Sequence, residues 1–184
     1  SYTNTDVSCW GESNAQITII GSGGTPPYQY SKDNGATYVS SNVFSGLTAG
    51  VYNVRIKDVY SCVSAPIAIT ISEPAVALSF TTNQIDIDCY GAGNGEIHVL
   101  ASGGTPSYQY SINGGSSYLS TSSFTGLSGG DYTVVVKDAN SCETTSSVVT
   151  IDEPASEITF STSKTNVVCY GDASGQIIVS ATGG

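Results

Sequence analysis

The stretch GGTPPYQYS at residues 23–31 returns as GGTPSYQYS at residues 103–111, eighty positions later. A nine-residue echo at that distance marks an internal repeat, and the same offset holds outward in both directions. Cys9-Trp10-Gly11 becomes Cys89-Tyr90-Gly91 and then Cys169-Tyr170-Gly171. Phe44-Ser45-Gly46-Leu47 becomes Phe124-Thr125-Gly126-Leu127, and Lys57-Asp58 with Ser61-Cys62 becomes Lys137-Asp138 with Ser141-Cys142. Ile71-Ser72-Glu73-Pro74 becomes Ile151-Asp152-Glu153-Pro154. The third copy reaches Gly183-Gly184, which align with Gly103-Gly104 and Gly23-Gly24. Residues 1–76 therefore read as one repeat, residues 77–156 as a second, and residues 157–184 as the opening part of a third. Such a chain is expected to be a fragment of a longer array.

Within one repeat the pattern is that of strands. Tyr52, Val54 and Ile56 alternate with polar residues and share one face, and Ile67, Ile69 and Ile71 do likewise. Residues 16–20 and 96–101 read as a further strand, and Tyr28 and Tyr30 fall on one face of the strand after Pro26-Pro27. Asp33-Asn34-Gly35 and Asn113-Gly114-Gly115 carry hairpin turn chemistry, because Asn and Gly tolerate positive φ. Leu47-x-x-Gly50-x-Tyr52 and Leu127-x-x-Gly130-x-Tyr132 resemble the tyrosine corner of Greek-key sandwiches, in which Tyr52 and Tyr132 would return their hydroxyls to nearby backbone. The alternative is a buried strand tyrosine with its hydroxyl at the rim. Short strands and Gly/Pro/Asn turns within about eighty residues predict an all-β fold: tandem immunoglobulin-like antiparallel β-sandwiches of about seven strands each. Glu73-Pro74-Ala75 and Glu153-Pro154-Ala155 read as stiff joints, since proline ends a strand and fixes φ. An elongated array of beads is expected from them. Residues 157–184 are too few to bury a core by themselves.

The five cysteines are Cys9, Cys62, Cys89, Cys142 and Cys169. None is paired at the short spacing of a zinc site, so disulfides of an exported protein are expected. The simplest pairing joins Cys9 to Cys62 and Cys89 to Cys142 and leaves Cys169 unpaired. Immunoglobulin strand order raises a second possibility. It places the first cysteine of a repeat in the loop between its first two strands and the second cysteine between its last two, at the opposite end of the sandwich. Bridged Cα atoms must approach within about 7 Å, and in that case Cys9 would face Cys142 of the next repeat; free thiols are the third alternative.

The chain carries 15 acidic and 5 basic residues, a net charge of -10. That surface repels phosphate backbones, so no nucleic-acid partner is expected. No run of about eighteen apolar residues occurs, so no helical insertion into a membrane is expected. His98 is the only histidine, its counterparts are Thr18 and Ile178, and no Ser/His/Asp set or P-loop pattern appears. No enzyme is expected, and no cofactor. Calcium is the one ion the acidic residues would admit: Asp86 and Asp88 alternate on one strand, Asp58 and Asp138 end strands before turns, and Glu73 and Glu153 stand at the joints. The plainer reading has Asp58 and Asp138 capping turns through their own backbone. Trp10, Tyr90 and Tyr170 share one turn position. There a ring either packs over the adjacent cysteine or lies exposed as a sugar platform.

The ordered set C-[WY]-G, GGTP-x-YQYS, G-L-x-x-G-x-Y-x-V, K-D-x-x-S-C and I-x-E-P-A resembles the SprB-type repeat of very large surface adhesins of gliding Bacteroidetes bacteria. Single pieces such as G-x-Y-x-V are also similar to polycystic-kidney-disease (PKD) and fibronectin III-like sandwiches. The resemblance implies export by the type IX system, an extracellular location attached to the outer membrane, and a structural or adhesive role in gliding motility. The expected partners are neighbouring repeats of the same chain, with surface polysaccharide or the gliding and secretion machinery beyond them. The alternative is a glycan-binding accessory module of a secreted multidomain protein.

Overall fold

The computed structural model describes residues 1–144 and 146–184, and every named element in it is a β-strand. The first copy holds β1 (Tyr2–Thr5), β2 (Ala15–Ile19), β3 (Gln29–Ser31), β4 (Val43–Leu47), β5 (Gly50–Lys57) and β6 (Ile67–Ile71). The second copy holds β7 (Ser79–Ile85), β8 (Gly95–Ser102), β9 (Gln109–Ser111), β10 (Ser123–Leu127), β11 (Gly130–Lys137) and β12 (Ser147–Ile151). The third holds β13 (Thr159–Thr165) and β14 (Gln176–Thr182).

Each full copy is a sandwich of two three-stranded sheets, β1-β2-β4 with β3-β5-β6 and β7-β8-β10 with β9-β11-β12. The fold is thus the expected all-β antiparallel one, with six strands per copy where about seven were expected. The segment between β3 and β4 pairs with β3 only at a single bridge, Tyr30 to Val39, because the chain turns away again before β4. Alternation along the strands decides which residues form the core. Ala15, Ile17, Ile19 and Leu47 of one sheet meet Val54, Ile69 and Ile71 of the other, with Tyr30, Phe44, Tyr52 and Ile56 packed at the margin. Burying each isoleucine contributes roughly 1.5–3 kcal/mol.

The shared motifs mark places where the backbone must do something unusual. In F-x-G-L the register shifts between Ala15 opposite Leu47 and Ile17 opposite Phe44. Gly46 supplies the positive φ of a bulge there, as Gly126 does in the second copy. Tyr52 donates its hydroxyl hydrogen to the Thr48 carbonyl at 3.0 Å, and Tyr132 donates to the Ser128 carbonyl at 2.9 Å.

The chain divides into two compact units whose segments interleave along the sequence. One comprises Ser1–Phe80, Ala101–Tyr108 and Val136–Thr144, and the other Thr81–Leu100, Gln109–Val135 and Thr145–Gly184. In the second unit β13 and β14 form an antiparallel hairpin from Thr159 opposite Thr182 to Thr165 opposite Gln176. Ile177 and Val179 hold the repeat positions of buried Ile97 and Val99, yet they are 75% and 61% exposed. A two-stranded hairpin has no second sheet to cover them.

The turn after β3 shows one geometry built from two residue types. Ser31 Oγ donates to Asp33 Oδ1 at 2.7 Å and accepts from the Gly35 amide at 2.8 Å. The Asp33 carboxylate also accepts from the Thr37 hydroxyl and amide. In the second copy Asn113 does the same without charge: its Oδ1 accepts from Ser111 Oγ and the Ser117 amide, and its Nδ2 donates to Ser117 Oγ. The Thr37 hydroxyl first, then the Thr37 amide and Ser31, hold the Asp33 carboxyl well below the usual carboxylate range. A carboxyl depressed in the folded state contributes stability above its unfolded value, near 4, and that contribution fades as pH falls through the folded value. The expected outcome is that Asp33→Asn leaves the fold intact at pH 7 and reduces the loss of thermal stability between pH 4 and 2, followed by circular dichroism. An unchanged acid limb would show that this turn does not carry the acid sensitivity.

Candidate functional site

Three motif pieces meet in the first unit, where the end of the first copy runs into the start of the second. The Glu73 carboxylate accepts from the Gly11 amide at 2.7 Å, which fastens the Cys9-Trp10-Gly11 turn to the end of β6. Two further bonds align the same edge. The Val7 amide donates to the Ser72 carbonyl at 2.9 Å, and the Ser72 amide donates to Asp6 Oδ1 at 3.0 Å. The second copy repeats the set with Glu153 on the Gly91 amide, Asp152 on Ile87 and Asp86 on Asp152. C-[WY]-G and I-x-E-P lie about sixty residues apart in sequence and form one structural feature.

The chain beyond Pro74 then packs on the glycine pair of the second copy. The Gly104 amide donates to the Val76 carbonyl at 2.9 Å. A methyl group on Gly103 would come within 2.0 Å of the Ala77 carbonyl oxygen. Gly103 also holds φ +74, which L side chains rarely adopt. Its counterpart in the first copy, Gly23, has φ +75 and open space around it.

The third piece is the K-D-x-x-S-C loop after β11. Asp138 is buried, and its carboxylate accepts three backbone amides: Thr105 at 2.8 Å, Asn140 at 2.9 Å and Cys142 at 2.9 Å. Asp58 does the same for Thr25, Tyr60 and Cys62. Its carboxyl is held below the ordinary range, chiefly by the Cys62 amide. Ser141 and Ser61, at φ 66° and 67°, turn each loop so that the cysteine follows.

Cys9 is bonded to Cys142, with 5.7 Å between their Cα atoms and 133 positions between them in sequence. Asn140 Nδ2 donates to the Ser8 carbonyl at 2.9 Å beside the bond. The within-repeat pairing of Cys9 with Cys62 and of Cys89 with Cys142 is therefore replaced by a bond from one copy to the next. The reason is the length of β2. The Ser8 amide, next to Cys9, donates to Asn14 Oδ1 just before its first residue, and Cys62 lies beside Gly23 and Gly24 beyond its last. Five strand residues, roughly 17 Å, separate those ends, too far for one disulfide. Cys62, Cys89 and Cys169 are free and exposed. An open cavity of about 310 Å³ adjoins the bond, lined by Trp10, Glu12, Leu78, Gly104 and Asp138 with the two cysteines. Trp10, Tyr90 and Tyr170 are all more than half exposed, so none is covered as packing over a cysteine would require.

Five of the six acidic residues considered for calcium, all but Asp88, are engaged by backbone amides. Asp58, Asp138, Glu73, Glu153 and Asp86 turn carboxylate oxygens toward amides of their own chain. Among the described residues no three Asp, Glu, His or Cys stand together as metal ligands would. One polar group had no signal in the spacing. On the open face of the β7-β8-β10 sheet, His98 meets Glu96 Oε2 through Nε2 at 2.9 Å and Ser123 Oγ through Nδ1 at 3.0 Å. Ser123 lies directly opposite His98 across the strands, a pairing that register alone creates. Asn140 was equally hidden, because its counterpart is Tyr60 and the repeat does not flag it.

The SprB repeat family matches residues 1–37, 81–117 and 161–184, more than half of the chain. The chain belongs to the SprB repeat family. Each matched segment of this SprB-repeat chain starts near the C-[WY]-G turn of its copy, and the first two run through the turn that follows the YQYS strand. Among solved structures, the fibronectin(III)-like modules of Clostridium thermocellum CbhA are similar at 13% identity, over 76% of this chain and 85% of that one, with a TM-score of 0.34. No curated protein matches the chain.

Two substitutions test how the SprB-repeat joint is built. Gly103→Ala adds a backbone clash to an unfavourable φ, whereas Gly23→Ala carries only the φ term of about 1–2 kcal/mol. The melting temperature is expected to fall clearly further for Gly103→Ala, and equal losses would show that the Ala77 approach is not tight. Cys142→Ser is expected to destabilise the unit by about 2–5 kcal/mol, since it opens a long covalent loop. Denaturant unfolding with and without reductant measures it, and a variant as stable as the oxidised protein would contradict the bond.

Proposed function

We propose that this chain is a non-enzymatic spacer within a large secreted adhesin, displayed outside the cell and attached to the outer membrane. There it carries tension between the cell and a binding tip during gliding and surface attachment. Its immediate partners are neighbouring repeats, and the tip meets surface polysaccharide or the motility and secretion machinery. Membership in the SprB repeat family supports a cell-surface, adhesin-type role. The observation that carries the mechanical part is the bond between Cys9 and Cys142. A disulfide persists in an exported protein, and this one links consecutive copies rather than the two sheets of one.

A pulling force applied at the ends passes through that bond and bypasses the residues between the two cysteines. With a separation of 133 positions, about 440–480 Å of extended chain is withheld until the bond is reduced. Single-molecule stretching is expected to show that extra length only after reductant is added. The same contour length in both conditions would remove the tension-bearing role. For location, an antibody against the chain should label intact cells of the producing bacterium, and label only after permeabilisation would sink the surface assignment.

The second reading is a glycan-binding module. One observation favours it: Trp10, Tyr90 and Tyr170 present an exposed ring at the same position of each copy. A glycan array in which Trp10→Ala abolishes binding would select this reading over the spacer.

A further inference from the structure

The bond between Cys9 and Cys142 is one instance of a pattern whose other parts are present separately. Its lower half consists of the C-[WY]-G turn and the chain after the E-P joint, and its upper half of the glycine pair and the K-D-x-x-S-C loop. Around the bond both halves line one cavity: Cys9, Trp10 and Leu78 from below, Gly104, Asp138 and Cys142 from above. In the second unit the lower half recurs with Cys89, Tyr90 and Ile158 lining a groove, at the repeat positions of Cys9, Trp10 and Leu78. In the first unit the upper half recurs with Gly24, Asp58 and Cys62 lining a groove, at the positions of Gly104, Asp138 and Cys142.

The upper half is already in its bonded shape. Asp58 gathers the same three amides as Asp138, and Ser61 has the same positive φ as Ser141. Gly23 adds an independent observation. In the later copies the matching glycines, Gly103 and Gly183, lie where a methyl group would strike the carbonyl of Ala77 or Glu157 at 2.0 Å. Gly23 holds the same left-handed φ with nothing near it. That backbone shape is suited to the arriving carbonyl of a preceding joint.

We propose that Cys62 and Cys89 are half-sites of the Cys9–Cys142 type, and that their partners are further repeats of this same kind. Cys89 takes the K-D-x-x-S-C cysteine of the repeat that follows, and Cys62 takes the C-[WY]-G cysteine of the repeat that precedes. An array of such repeats is then a disulfide ladder with one rung per joint. The inference rests on the tandem reading of the chain and is independent of what the array adheres to. Each rung forms by thiol–disulfide exchange with a disulfide oxidant such as oxidised glutathione. One protein thiolate attacks the oxidant to give a mixed disulfide and one glutathione thiol. The second protein thiolate then displaces the other glutathione. One sulfur–sulfur bond forms and one breaks, and two electrons and two protons pass from the cysteine pair to the two glutathione thiols.

The test extends the full chain in register. A copy of residues 105–156 is fused after Gly184, which completes the third repeat, and the protein is refolded in a glutathione redox buffer. It is then alkylated and mapped by non-reducing peptide mass spectrometry. The expected result is two rungs: Cys9 joined to Cys142, and Cys89 joined to the cysteine of the added copy. Cys62 and Cys169 remain alkylated. A second protein carries a copy of residues 81–160 fused before Ser1. There Cys62 is expected to leave the alkylated pool and appear bonded to a C-Y-G peptide. Cys89 alkylated while Cys9–Cys142 is formed overturns the proposal, as does Cys89 joined to Cys62, to Cys169 or to a second molecule. A chain in which Cys9–Cys142 itself fails to form overturns it at its template. The stretching experiment reports on the tether separately, so the two readings fail by different results.

Discussion

Three backbone amides converge on one carboxylate at Asp138, and the rest of the joint depends on that convergence. A buried carboxylate is costly unless its oxygens are satisfied, and here the Thr105, Asn140 and Cys142 amides satisfy them. The same bonds set the shape of the loop. They tie it to the start of the β9 region through Thr105 and aim the Cys142 side chain outward toward Cys9. Without the carboxylate the loop would have three donors to satisfy elsewhere and no reason to present its cysteine. Because the arrangement lies within a single copy, the corresponding three amides also converge on Asp58, where no disulfide is made.

Close approach is the second constraint. The chain leaving Pro74 lies so near the glycine pair of the next copy that a single methyl would collide with a carbonyl. That proximity explains why a motif in a surface loop spends two glycines in sequence, despite their entropic cost. The cap of Glu73 on Gly11 and the bond of Gly104 to Val76 act on the same few residues. The joint is thus a set of fixed backbone bonds closed by one covalent link, and proline is only one of its parts.

Much of this was legible in the residues. The eighty-residue period, the alternating strands and the positive-φ turns are local properties, and local properties are written in sequence. The positions of Tyr52 and Val54 on β5 and the turn at Asn34-Gly35 needed nothing else. The strand count was less legible. The segment at Val39 carries strand-like residues but pairs only once, and pairing length is decided by neighbours. The polar group of Glu96, His98 and Ser123 was invisible for the same reason, since two of its members meet only through the register of β8 and β10.

The amino-acid sequence by itself determined that two like modules and part of a third follow one another, that each is built of antiparallel strands, and that the cysteines recur in step. Tertiary structure alone decided which cysteines join. Five thiols that recur with an eighty-residue period permit a bond within each copy as readily as a bond between copies. The choice falls to the latter because the loops that carry Cys9 and Cys62 lie toward opposite ends of β2, while the joint brings Cys9 and Cys142 of successive copies within bonding distance.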